Sequence, residues 1–179
     1  MTPVLYTDTM RAVVTLDQIA ERRRLGIDKF DEVWDGEYRM NAAPHPRHSF
    51  LLLKLLALLE PLAEARALIT LGKFNIGQSH DYRIPDAGYV DELPTEAFTS
   101  GARLVIEMLS PRDETMDKLP LYARYGVDEV LIVDPATRGV SWLGLDQPTL
   151  TYRPIDRSAV LGLTAADVAA QLPWERIES

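Results

Sequence analysis

The sequence predicts an α/β domain in which a mixed central β-sheet is flanked by α-helices. Three observations carry that expectation. Two short, nearly continuous apolar runs, Arg103 to Leu109 and Val130 to Val133, have the pattern of strands covered on both faces. A helical segment lies between them, and a strand–helix–strand unit calls for a right-handed parallel crossover. The other strand-like segments look antiparallel, which makes the sheet mixed.

Each element has its own signal. Thr15 or Asp17 can cap a first helix that runs to about Leu25, where Gly26 stops it. Phe30 to Trp34, then Asp35-Gly36, then Glu37 to Met40 reads as a hairpin, because Asp-Gly favours a tight turn. Pro46 suits the first turn of the next helix, and Pro61 is expected to end or kink it. Leu51, Leu52, Leu55, Leu56, Leu58 and Leu59 cover much of that helix, so it should be buried against the sheet.

Two strands follow, about Ala67 to Ile76 and Tyr82 to Val90, and then a polar loop from Asp91 to Gly101. After the Arg103 strand, a helix over about Asp117 to Tyr125 is expected to begin near residue 117, which keeps Pro120 in its first turn. Gly126 closes it. Ser141 to Leu145 and Thr149 to Arg153 read as a peripheral hairpin, and Thr164 can cap a last helix, Ala165 to Leu172.

The length of 179 residues suits one domain, within which residues 1–29 form an N-terminal helical segment. Met1 to Met10 lacks a basic start followed by an apolar run, so no signal peptide is expected. The longest apolar stretch, Phe50 to Leu59, contains Lys54 and is too short to span a bilayer. There is no cysteine, which excludes disulfides and thiolate metal sites and fits a cytoplasmic protein. The net charge of −8 runs against a broad phosphate-gripping surface. The one dense basic run, Arg22 to Arg24, reads as a solvated helix face or as an element for DNA contact or assembly.

Function is therefore sought in particular residues. Glu107 stands inside Leu104-Val105-Ile106-Glu107-Met108-Leu109, where every neighbour favours burial. A buried carboxylate is costly unless it is paired or binds a metal. A satisfied core salt bridge, or an outward position on an edge strand, would also explain it. Asp86 follows Pro85 and precedes Ala87-Gly88, so it opens a second buried strand; alone, it would read as a turn aspartate. Gly88 leaves room for close approach of a backbone or ligand.

Two neighbouring buried acids resist joint ionisation unless a divalent cation lies between them. Oxygen donors with an incomplete set of side chains suit Mg²⁺ or Mn²⁺. Lys118 shares a helix face with Leu121, Tyr122 and Tyr125, so it should turn towards the sheet near the end of the Glu107 strand. It can orient a nucleophile there or offset developing negative charge, unless it snorkels to solvent. Glu37 is a further acid, or else an ordinary hairpin-surface residue. His48 and His45 form no zinc-binding pair and read as helix-cap or surface residues.

Pro85-Asp86, Glu107-Met108-Leu109-Ser110-Pro111, Asp117-Lys118, Tyr122, Gly126-Val127 and Val133-Asp134-Pro135 together resemble a known group. They are similar to the small endonuclease family of the PD-(D/E)xK, or restriction endonuclease-like, superfamily, long catalogued as a domain of unknown function. The similarity covers roughly Phe30 to Leu172 and is most specific from Glu107 to Pro135.

The resemblance implies a restriction endonuclease-like domain over residues 30–179, with Asp86, Glu107 and the backbone carbonyl of Met108 as metal ligands. It further implies that Glu37 is the acid of the early hairpin and that His48 is a histidine at the start of the long helix. The superfamily lysine two residues after the acid is absent, because Leu109 stands there; Lys118 is the matching residue on the following helix. The expected activity is metal-dependent hydrolysis of phosphodiester bonds in DNA, with no membrane partner and with a homodimer as one way to span a duplex. The competing expectations are a non-catalytic binding module on the same fold and a purely structural charge network.

Overall fold

The computed structural model describes residues 9–10, 15–111 and 114–177; the rest of the expected N-terminal segment lies outside them. Strand β1 (Thr9–Met10) precedes helix α1 (Leu16–Leu25). The Thr15 hydroxyl accepts from Gln18 N while Gln18 reaches back to Thr15 N, a capping box that fixes the helix start. Gly26, at φ 67°, ends it. No residue of α1 is buried, and the Arg22 guanidinium ties the helix to Asp31 at 2.6 Å.

Strands β2 (Glu32–Trp34) and β3 (Glu37–Asn41) form the hairpin around Asp35-Gly36, both at positive φ. Helix α2 (Pro46–Glu64) follows, with Pro46 in its first turn and His45 Nδ1 accepting from Arg47 N. Pro61 does not end it, and the helix continues three residues further. Pro61 and Ala57, whose carbonyl loses its helical partner, both lie on the exposed side, where water can replace the bond.

Each of the two long strands expected over residues 67–90 is broken in two. The structure has β4 (Ile69–Leu71), β5 (Asn75–Gln78), β6 (Asp81–Arg83) and β7 (Ala87–Val90). The breaks fall at Gly72-Lys73 and at Ile84-Pro85, where proline has no N–H to give a ladder. The polar loop contains a two-residue strand, β8 (Phe98–Thr99).

Strand β9 (Leu104–Met108), helix α3 (Thr115–Arg124) and strand β10 (Glu129–Asp134) make the crossover unit, with β9 and β10 parallel. Helix α3 begins two residues before the expected start, which puts Pro120 beyond the first turn. Pro120 and Met116, four residues earlier, are again exposed. Strands β11 (Gly139–Asp146) and β12 (Thr151–Ile155) form the peripheral hairpin. Helix α4 (Ala165–Ala169), capped by Thr164, is shorter than expected, and a 3-10 turn at Trp174–Arg176 follows.

The strands form two mixed sheets rather than one. The first runs β12-β11-β10-β9-β7-β4, and the second runs β1-β3-β2-β6-β5-β8. Alternation along β9 sorts the core of the first sheet. Leu104, Ile106 and Met108 join Leu51, Leu55 and Leu59 of α2, while Val105 joins Leu121 and Tyr122 of α3. Glu107 has the parity of Val105 and so faces α3. Among the described residues, no helix is long and apolar enough to cross a membrane.

Candidate active site

Strand pairing brings the two acids together. Ala87 of β7 is registered opposite Ile106 of β9, so Asp86 and Glu107 are the next residues along that antiparallel pair. Asp86 N donates to Ile106 O at 3.1 Å, and Met108 N donates to Asp86 Oδ2 at 3.0 Å. The aspartate is thus pinned to β9 by its backbone and by its side chain. Lys73, from the turn after β4, donates to Asp86 Oδ1 at 2.6 Å. The His48 Nε2 lies 3.2 Å from the same oxygen, close enough to pair when protonated but off the line of a hydrogen bond.

Glu107 is held from α3. Lys118 Nζ donates to both of its carboxylate oxygens at 3.1 Å, and Tyr122 Oη donates to Oε1 at 2.5 Å. Lys118 also donates to Ile84 O at 3.2 Å and lies 3.6 Å from Glu32 Oε1. Glu32 is a third buried acid. It accepts from Trp34 Nε1 at 2.7 Å and from Ile84 N at 2.6 Å.

Three carboxylates therefore share two ammonium groups, and the electrostatics reflect the shortfall. Burial pushes the Glu107 carboxyl up to about 7; Lys118 and Tyr122 oppose the shift, while Asp86 and Glu32 reinforce it. Burial also raises Asp86, but His48 and Lys73 overcome it and hold that carboxyl well below the usual range. Lys118 loses solvation too, yet Glu107, Glu32 and Asp86 keep it charged far into the alkaline range.

These groups lie at the floor of a cleft of about 780 Å³, walled by Phe30, Trp34, Pro44, Pro111, Pro135 and Ile177. Among the described residues, no three His, Asp or Glu side chains stand where they alone could hold a metal ion. Asp86 and Glu107 offer two carboxylates, and the surplus negative charge beside them suits a cation. Lys73 and Lys118 occupy those oxygens in this structure and would have to yield to it.

A family model described as "Uma2: Putative restriction endonuclease" matches residues 23–170. The chain belongs to the Uma2 family. A crystal structure of a putative nuclease of DUF820 from Anabaena variabilis superposes with a TM-score of 0.65 at 16% identity, covering 88% of this chain and 98% of that one. This likeness shows that the Uma2 chain has the fold of that protein, in accord with the restriction endonuclease-like architecture. No curated protein matches the sequence.

Of the residues singled out in sequence, the Uma2 fold brings Asp86, Glu107 and Lys118 into one cleft, with Met108 beside them. Glu37 stays outside: it is exposed on β3, at the turn end of the hairpin. The early-hairpin acid in the cleft is Glu32. Alternation offered a signal for it, because Glu32 shares a face with Trp34, and a tryptophan that seeks burial takes its i−2 neighbour along. His48 is neither a cap nor a surface residue but lines the cleft against Asp86, and the cap is His45. Nothing local in the sequence marks Lys73.

Proposed function

We propose that this Uma2 protein is a metal-dependent nuclease that hydrolyses phosphodiester bonds in DNA. The observation that carries the reading is the register-adjacent pair Asp86 and Glu107, with the Lys118 ammonium on Glu107 at the floor of an open cleft. The endonuclease description of the family and the nuclease description of the Anabaena variabilis protein support the same class of reaction.

Asp86 and Glu107, with the Met108 carbonyl, would hold Mg²⁺ or Mn²⁺. Such an ion supplies charge neutralisation at the scissile phosphate and acidifies an attacking water. Lys118 then has two roles open to its ammonium group. It orients the water for in-line attack, and it offsets negative charge that develops on the phosphoryl oxygens. Glu32, 3.6 Å from Lys118, keeps that amine charged and aimed into the cleft. In the reaction the water oxygen bonds to phosphorus, the bond to the leaving oxygen breaks, and the leaving oxygen takes up a proton.

Lys118 also answers the missing superfamily lysine at Leu109: an amine reaches the same carboxylate from the following helix. The expected result is cleavage of DNA by the native chain with Mg²⁺ or Mn²⁺. Asp86→Asn and Lys118→Met should each lose cleavage by at least about a hundredfold, in line with removal of one transition-state contact. Full metal-dependent cleavage by Asp86→Asn would contradict the reading. The net charge of −8 favours a second reading, a binding module on the same fold, which predicts nucleic-acid binding without cleavage by the native chain.

A further inference from the structure

We propose that the cleft takes up one unstacked nucleotide unit from a single strand or strand end, and that an intact duplex is not its substrate. The inference rests on the nuclease reading above and narrows it. Three observations support it: depth, wall chemistry and charge.

The two carboxylates are almost wholly shielded, with Glu107 2% and Asp86 7% exposed. A backbone phosphate on an unbroken duplex rides on the outside of a wide, stiff rod. To reach these oxygens it would have to enter a cleft whose volume lies within the ~300–1,000 Å³ typical of small-molecule sites. A single strand, with free torsions and no partner, can follow the cleft inwards.

The walls have the wrong chemistry for a duplex exterior. Phe30, Pro44, Pro111 and Pro135 present apolar surface towards the cleft. The sugar–phosphate exterior of a duplex gains nothing from such walls and loses water to them, whereas an extruded base gains stacking. Trp34 is unsuited to that role, because the Arg39 and Arg83 guanidiniums lie 3.7 Å and 4.0 Å from its ring centre and Glu32 holds its indole N–H. Phe30 is half-buried, and the Lys73 ammonium lies 5.4 Å from its ring centre. That ammonium stands over the ring, singly and farther off than the two guanidiniums on Trp34, so a base stacked on Phe30 would bring its phosphate to the cation that also holds Asp86.

Charge points the same way. Duplex binding draws most of its strength from neutralising many phosphates at once. This chain carries a net charge of −8, and in the cleft lining Asp and Glu outnumber Lys and Arg by five to three. Such a surface tolerates few phosphates, which limits the footprint to a short stretch of strand.

The test measures binding and cleavage separately. A fluorescein-labelled thymidine hexamer is titrated with the full chain in Ca²⁺ and read by fluorescence anisotropy, and a covalently closed circular duplex, which has neither loop nor end, competes for it against unlabelled hexamer at matched nucleotide concentration. The hexamer should bind at least about tenfold more tightly than the duplex. Phe30→Ala should weaken hexamer binding by about tenfold or more, as loss of a stacking platform does. Phe30→Leu, which keeps apolar bulk and so protects folding, should weaken it similarly, and Phe30→Trp should restore it. Equal or tighter binding of the duplex would overturn the inference, as would undiminished hexamer binding by both Phe30→Ala and Phe30→Leu. The same samples moved to Mn²⁺ report on the nuclease reading by itself. A hexamer bound with the stated preference yet left uncut would uphold the pocket and overturn the nuclease.

Discussion

Burial raises the Glu107 carboxyl to about 7, from an ordinary value of 4.5, so its charge is set by the pH range in which proteins are usually handled. A carboxyl raised in the folded state contributes stability that is full below about 4.5 and is lost as pH rises through about 7. Without metal, the melting temperature of the native chain should therefore fall between pH 5 and pH 8 relative to that of Glu107→Gln, which cannot ionise. Parallel calorimetric profiles for the two proteins would contradict this. Asp86 has the opposite sign: its depressed value contributes stability above about 3.8 that is lost as pH falls below it. Lys118→Ala removes the ammonium that Glu107 and Glu32 share, and breaking a buried pair costs roughly 3–5 kcal/mol. Urea unfolding should show a loss of that order at pH 8 and a smaller one at pH 5, where Glu107 is protonated. The sequence revealed Glu107 because an acid among apolar neighbours is conspicuous, and Lys118 because its helix face is apolar. Glu32 and Lys73 were harder to see, since each becomes part of the site only when separate elements meet.

Gly88 shows how an element imposes its own limits. It lies in the fully buried strand β7, and a Cβ there would stand 2.8 Å from Leu104 O and 2.8 Å from a Phe74 ring carbon. The room inferred from sequence is taken by the neighbouring strand and an aromatic ring, not by a ligand. Gly88→Ala should cost about 1–3 kcal/mol as overpacking, measured by chemical denaturation. It should also weaken activity, because the same β7–β9 pairing sets Asp86 beside Glu107. A neutral substitution would mean that the two strands separate easily. Elements with strong periodicity were legible: the capped α1 stands where its pattern puts it, and α2 and the crossover unit are in place with one helix end of each displaced. The prolines misled for a common reason. Pro61 and Pro120 both lie on solvent-facing sides of their helices, and a local rule about lost hydrogen bonds does not register that water can take them over. The division of residues 67–90 into four short strands was hidden because pairing partners decide where a strand stops.

At the scale of the whole molecule, the division into two sheets shapes the cleft. Glu32, Trp34 and Phe30 come from or beside the β2–β3 hairpin of one sheet, and Glu107 and Met108 come from β9 in the other. Sequence pattern gave the class of fold and its crossover, but not the meeting of two sheets, which depends on contacts between residues far apart in the chain. The same long-range assembly sets three acids against two lysines, an imbalance that one divalent cation would relieve. The most direct measurement is a calorimetric titration of Mn²⁺ into the native chain and into Asp86→Asn at pH 8. Uptake by the native chain that Asp86→Asn abolishes is the predicted result. No uptake, or uptake unchanged by the substitution, would contradict a metal centre at Asp86 and Glu107.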